Sequence, residues 1–263
     1  MIEKTYTDYL PDTLELVRKA GAALLDIYNG NKSLDVETKS DDSPVTIADF
    51  RSNEILIKGL KEIDVNIPII SEESARIPYE ERKEYDYFWI IDPLDGTREF
   101  VQHLDEFTIH LALVKGNKPV MGVIYAPVYD DMYYAWENGG AWREYDGQKT
   151  KLKGHSVDLN DSGLRIVRSR SNLDPKTQEA IDGFDDPKPY ILGSGLKFMK
   201  LITGDADYYP RVRTNMKEWD VAPASIILEE AGGGLFDWGK RTPLQYNKKE
   251  LTVKGFEAVS LVE

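Results

Sequence analysis

Three apolar runs between residues 107 and 140 constrain the fold most. Thr108–Val114, Val120–Tyr125 and Met132–Trp136 are each of strand length; a Gly-Asn-Lys-Pro turn divides the first two, and Asn138-Gly139-Gly140 follows the third. Short runs bounded by turn formers predict an antiparallel meander. After a polar stretch from Tyr145 to about Ser162, the order becomes strand, helix, strand, helix: Leu164–Val167, Pro175–Ile181, Tyr190–Leu192 and Leu196–Thr203. That order predicts an α/β unit. The expected organisation is an α+β part over residues 1–150 and an α/β part over 151–263, with a soft boundary between them.

Around these parts lie further elements. Leu14, Val17, Leu24 and Tyr28 share one helical face, predicting a helix over roughly residues 11–29 that ends at Gly30. Leu34, Val36 and Thr38 alternate like a strand, and Val45 to Ile63 returns to helical spacing with Thr46 as the cap and Asp49 near the start. Pro68–Ile70 and Phe88–Ile91 read as short buried strands, the first running into Ser71-Glu72-Glu73 and the second into Asp92. A last helix spans roughly Asp220–Ala231 before Gly232–Gly234, and Ala258–Val262 closes the chain as a strand.

Composition removes several kinds of chemistry. The 33 basic and 46 acidic residues give a net charge of −13, which disfavours polymeric nucleic acid and anionic membranes unless a local basic pocket intervenes. There is no cysteine, so thiolate nucleophiles, disulfides and cysteine-held zinc or iron-sulfur centres are excluded. His103, His110 and His155 lack HExxH spacing; the first two read as structural residues in or beside the meander. A catalytic metal would therefore be held mainly by oxygen. The polar opening MIEKTYTDYL and strand-length apolar runs predict a cytoplasmic protein without membrane insertion.

The densest chemistry is Asp92-Pro-Leu-Asp-Gly-Thr97, where an apolar strand stops. Proline stiffens the turn and glycine permits a tight exit, so two carboxylates three residues apart can converge. Each acid also has an ordinary explanation: Asp-Pro and Asp-Gly form turns, Glu72-Glu73 suits a solvated loop, Asp49 a helix first turn and Asp220 a helix cap. If Asp49, Glu72, Asp92, Asp95 and Asp220 instead converge, each close pair repels by roughly 3 kcal/mol at an effective dielectric of about 20. Bound cations would relieve that repulsion, and an open all-oxygen site suits Mg2+ better than a closed calcium cage.

These segments, together with Pro44-Val-Thr-Ile-Ala-Asp49, Trp219-Asp-Val-Ala222 and Glu230-Ala-Gly-Gly233, resemble the lithium-sensitive, magnesium-dependent inositol monophosphatase superfamily. Within it the chain looks most like the CysQ-type 3'(2'),5'-bisphosphate nucleotidases. The resemblance implies a layered αβαβα sandwich of the inositol monophosphatase and fructose-1,6-bisphosphatase type. It further implies that Glu72, Asp92 and the Leu94 carbonyl bind a first Mg2+, that Asp92, Asp95 and Asp220 bind a second, and that Glu72 touches a weaker third. Asp49 and Thr97 would activate the attacking water, while the amides of Gly96 and Thr97 would donate to the phosphate.

Substrate choice falls to the second half. Gly193-Ser194-Gly195-Leu196-Lys197 precedes a helix and Arg211 follows Tyr209-Pro210, so Ser194, Lys197 and Arg211 can cradle an anion, with Asp220 also near the substrate. A solvated Lys197 and a surface-paired Arg211 are the plainer alternative. By resemblance, a basic residue at position 211 favours a substrate with a second phosphate, whereas inositol monophosphatases carry glutamate there. Asn172 stands where related nucleotidases often have a histidine. The expected function is removal of the 3'-phosphate of adenosine 3',5'-bisphosphate, a small nucleotide, or of its sulfated counterpart 3'-phosphoadenosine 5'-phosphosulfate in sulfur assimilation. The alternatives are an inositol or other sugar phosphatase and a non-catalytic metal-binding scaffold; the sequence leaves the oligomeric state open.

Overall fold

The computed structural model describes residues 5–30, 36–38, 44–74 and 77–260. In chain order the elements are α1 (Tyr6–Tyr28), β1 (Val36–Thr38), β2 (Pro44–Thr46), α2 (Ile47–Ile63), β3 (Ile69–Ser71), α3 (Tyr79–Arg82), β4 (Tyr87–Asp95) and α4 (Thr97–Val101). Then come β5 (Thr108–Lys115), β6 (Lys118–Ala126), β7 (Asp131–Trp136), β8 (Gly140–Tyr145), β9 (Gln148–Leu152), β10 (Arg165–Ser169), α5 (Pro175–Asp182) and β11 (Lys188–Leu192). The chain ends with α6 (Leu196–Ile202), β12 (Tyr208–Arg211), α7 (Glu218–Ala231), β13 (Gly234–Asp237) and β14 (Phe256–Val259).

Strands β3 to β9 form one seven-stranded sheet in sequence order, antiparallel except for the β3–β4 pair. A five-stranded sheet has the order β11-β10-β12-β14-β13. Side-chain alternation dictates how the layers stack. On β4, Trp89 and Ile91 face the core shared with α1 and α2, while Phe88 and Ile90 face the core shared with α6 and α7. An uninterrupted apolar run is what a strand buried on both faces requires. On β12 and β10, Tyr209 and Val167 face the same α6–α7 layer, whereas Tyr208 and Ile166 pack beneath Ile181 of α5. The result is αβαβα, the layered sandwich expected from the sequence.

Several expectations shift. Helix α1 begins at Tyr6, five residues early, because Thr5 N donates to Asp8 Oδ2 at 2.8 Å and starts the helix despite Pro11 inside it. The polar stretch after Tyr145 contains β9, an exposed edge strand without apolar alternation. The second sheet is mixed: β10 pairs in parallel with β11 and β12, but β14 is antiparallel to both β12 and β13. Of the strand expected around Leu34, Val36 and Thr38, Leu34 lies outside the described residues, as do the last residues of the closing strand. No helix among the described residues is long and apolar enough to cross a membrane.

Candidate active site

The end of β4 builds the acidic wall. Its register with β5 breaks between Asp92 and Asp95, so the chain bulges at Pro93 and Leu94. Leu94 N donates to Asp92 Oδ1 at 3.0 Å, and Ser52 Oγ of α2 donates to Pro93 O at 2.8 Å, which fixes the turn. Gly96 then adopts φ 96°, and a Cβ there would lie 2.7 Å from Glu106 O. Only glycine accepts both conditions without strain, and α4 starts at the next residue.

Glu72 follows β3, held by its amide bonding to Ile91 O at 3.2 Å. Asp220 sits in the first turn of α7, where its Oδ2 accepts Lys217 N at 2.7 Å. Carboxylate oxygens of Glu72, Asp92 and Asp220 lie within 4.8 Å of one another, and Asp95 and Leu94 share the same cavity of about 620 Å³. Burial, then the charges of Glu72, Asp95 and Asp220, pushes the Asp92 carboxyl well above its ordinary range. Asp220 is raised as well, by burial first and then by Asp95 and Glu72. Concentrated acids with mutually raised affinity for protons fit a hard divalent cation, which would supply the positive charge the cluster lacks.

Beside this wall, Thr97 Oγ1 donates to Asp49 Oδ1 at 3.0 Å. The other oxygen of Asp49 accepts Thr46 N and Thr46 Oγ1, both at 2.7 Å. Asp49 is therefore both a first-turn partner of α2 and the support of a cavity-lining hydroxyl; it stands behind Thr97, while Thr97 itself lines the cavity.

The same cavity also carries basic residues. Lys197 is buried with its Nζ donating to Ser194 O, and Arg211 is 4% exposed with no hydrogen-bond partner for its Nε among the described residues. Ser194, Gly96, Lys197 and Arg211 all line the cavity. Asn172 lines it too, accepting Arg98 Nη1 at 3.4 Å through Oδ1. Thus every residue singled out from the sequence reaches one cleft or, for Asp49, stands directly behind it. Sequence reasoning missed Thr108, and it read His110 as a structural residue of the meander. His110 is fully buried with Nε2 3.5 Å from Asp95 Oδ2. The overlooked signal was two polar residues on one face of an otherwise apolar strand.

Residues 8–260 match the family model described as the inositol monophosphatase family. The chain belongs to that family. It is 37% identical to the Salmonella typhimurium protein named 3'(2'),5'-bisphosphate nucleotidase CysQ, across 92% of this chain and 95% of the relative. A relative of the same name from Aggregatibacter actinomycetemcomitans is 38% identical over 93% of this chain and 89% of its own length. Among solved structures, CysQ from Bacteroides thetaiotaomicron superposes with a TM-score of 0.82 at 33% identity, covering 96% and 97% of the two chains. An inositol monophosphatase of Thermotoga maritima gives 0.78 at 28% identity, over 96% and 92%.

Proposed function

We propose that this chain is a magnesium-dependent phosphatase that removes the 3'-phosphate of adenosine 3',5'-bisphosphate, and of 3'-phosphoadenosine 5'-phosphosulfate, in the cytoplasm. The observation that carries this reading is a single cavity lined both by clustered carboxylates and by the buried side chains of Lys197 and Arg211. The name of the relatives points to the same substrate. In this reading residues 1–150 contribute most of the acids, and residues 151–263 contribute Asp220 and the basic residues.

Glu72, Asp92, Asp95, Asp220 and the Leu94 carbonyl would hold two Mg2+, with a weaker third at Glu72. Bound there, the ions would acidify water and stabilise charge on the leaving oxygen. The protein's own groups do the rest. Thr97 Oγ1 commits its hydrogen to Asp49, so its lone pairs can accept from the attacking water and align it while the proton passes towards Asp49. The amides of Gly96 and Thr97 offer donors to the phosphate that is cleaved. Lys197 and Arg211 face the second phosphate, and in-line attack by water needs no phosphoenzyme.

Phosphate release from a panel containing adenosine 3',5'-bisphosphate, adenosine 3'-monophosphate and inositol 1-phosphate tests this. The bisphosphate should be preferred, turnover should need Mg2+, and Li+ should inhibit. Preference for inositol 1-phosphate would replace the nucleotide by a sugar alcohol, and no turnover on any ester would leave only a metal-binding scaffold. Lys197→Ala or Arg211→Ala should raise KM about tenfold or more for the bisphosphate and far less for the monophosphate, because a charge-assisted hydrogen bond is lost only with the former.

A further inference from the structure

One buried side chain touches both Asp95 and the loop that bears Lys197. The β4–β5 register sets Asp92 opposite His110 and Asp95 opposite Thr108. Thr108 is fully buried, and its Oγ1 lies 3.4 Å from Asp95 Oδ2, 2.5 Å from Ser194 Oγ and 3.0 Å from His110 Nε2, while accepting Gly195 N at 3.2 Å. The loop before α6 is pressed against this pair: a Cβ at Gly195 would fall 2.2 Å from His110 Nε2 and 2.8 Å from Thr108 Oγ1. One hydroxyl offers one hydrogen and two lone pairs, too few for all four neighbours at once; with the hydrogen directed to Asp95, the lone pairs accept Gly195 N and one of Ser194 Oγ or His110 Nε2, which ties a carboxylate to the loop that bears Lys197. Movement of either must disturb the other through this oxygen.

We propose that Thr108, backed by His110, is a positioning residue that holds the Asp95 carboxylate and the Ser194–Gly195 loop in one geometry. Loss of its hydroxyl therefore weakens cation binding and recognition of the second phosphate together. The proposal rests on the phosphatase reading above. Val at position 108 keeps the shape and removes the hydroxyl, whereas Ser keeps the hydroxyl and removes a methyl.

The test is calorimetric titration of substrate-free protein with Mg2+, paired with KM and kcat for adenosine 3',5'-bisphosphate and adenosine 3'-monophosphate. Thr108→Val should bind Mg2+ about tenfold more weakly or worse, the usual scale for outer groups that orient a metal ligand. It should raise KM for the bisphosphate more than for the monophosphate, and Thr108→Ser should behave like the unaltered protein in both. Urea melts of the metal-free proteins report folding, so a residue that only packs would lower stability while leaving Mg2+ affinity unchanged. If Thr108→Val does not fold, Ser194→Ala breaks the same contact from the loop side and should also weaken Mg2+ binding. Unchanged affinity in the folded variants, or a Thr108→Ser defect as large as that of Thr108→Val, would overturn the proposal while the phosphatase reading stands. Absence of Mg2+ binding and turnover in the unaltered protein would overturn both.

Discussion

Two carboxylates in the first turn of α7 face opposite electrostatic surroundings. Glu218 has no exposure at all, yet it accepts Asn247 N at 2.6 Å and Lys248 N at 3.2 Å, and the Lys248 ammonium lies 3.8 Å away. Behind it Arg82 donates to Asn247 Oδ1 at 2.7 Å and to the carbonyls of Lys248 and Lys249 at 2.6 and 2.8 Å. Two residues later, Asp220 faces Asp95 and Glu72. The chain thus supplies counter-charge where a loop must be clamped and concentrates like charge where the cleft opens. Burying acid is costly in both places; at Glu218 protein donors offset part of the cost, and at Asp220 the offset would fall to the cation proposed there.

Neutralising one acid on each side should have opposite consequences. Asp92→Asn keeps the shape and the acceptor for Leu94 N but removes a charge from the crowded wall. Turnover at saturating Mg2+ should fall by at least about 100-fold, whereas the metal-free protein should melt no lower than wild type, since repulsion is relieved. Retained turnover with a lowered melting temperature would make Asp92 structural and erase the contrast. Glu218→Ala should do the reverse. It orphans two amides and leaves Arg82 and Lys248 without their carboxylate, so urea melts should show a loss of about 2–3 kcal/mol, with kcat far less affected than in Asp92→Asn.

The same contrast explains what could be read in the chain before it folds. The Asp92–Thr97 segment is contiguous, and Thr46 capping α2 places Asp49 from local rules alone; one end of the cleft is therefore written in short stretches. The meander and strand β4 were legible for the same reason, because Phe88–Ile91 and the runs after Phe107 carry unbroken apolar signals; the layered sandwich itself was implied by the family resemblance. Strand β9 was not, since an edge strand with an exposed face needs no apolar alternation, and β8, paired between β7 and β9, is only partly buried and carries no clean apolar alternation either. The clamp was invisible too: Arg82 and Asn247 are 165 residues apart, and nothing local marks either as a partner. Thr108 and His110 acquire meaning only once the β4–β5 register sets them against Asp95 and Asp92.

The finest distinction concerns pH. Burial pushes the Glu218 carboxyl up from 4.5 to about 6, with Lys248, the two amides and Arg82 pulling the other way. A folded state that holds a proton more tightly than the unfolded chain is favoured at low pH. That contribution is complete below pH 4.5 and is lost as pH rises through about 6, amounting to about 2 kcal/mol. Glu218→Gln cannot titrate. Its NH2 replaces one of the two oxygens that accept Asn247 N and Lys248 N, so one of those amides loses its acceptor, which displaces stability by an amount independent of pH. The diagnostic quantity is therefore the slope: between pH 4.5 and 7 the Gln variant should gain about 2 kcal/mol relative to wild type in urea melts. Asp92 and Asp220 are shifted upward too, but they are common to both proteins and cancel in the difference. Parallel curves would mean that Arg82 and Lys248 keep Glu218 ionised throughout, making the clamp a fully compensated charge and widening its difference from the acidic wall.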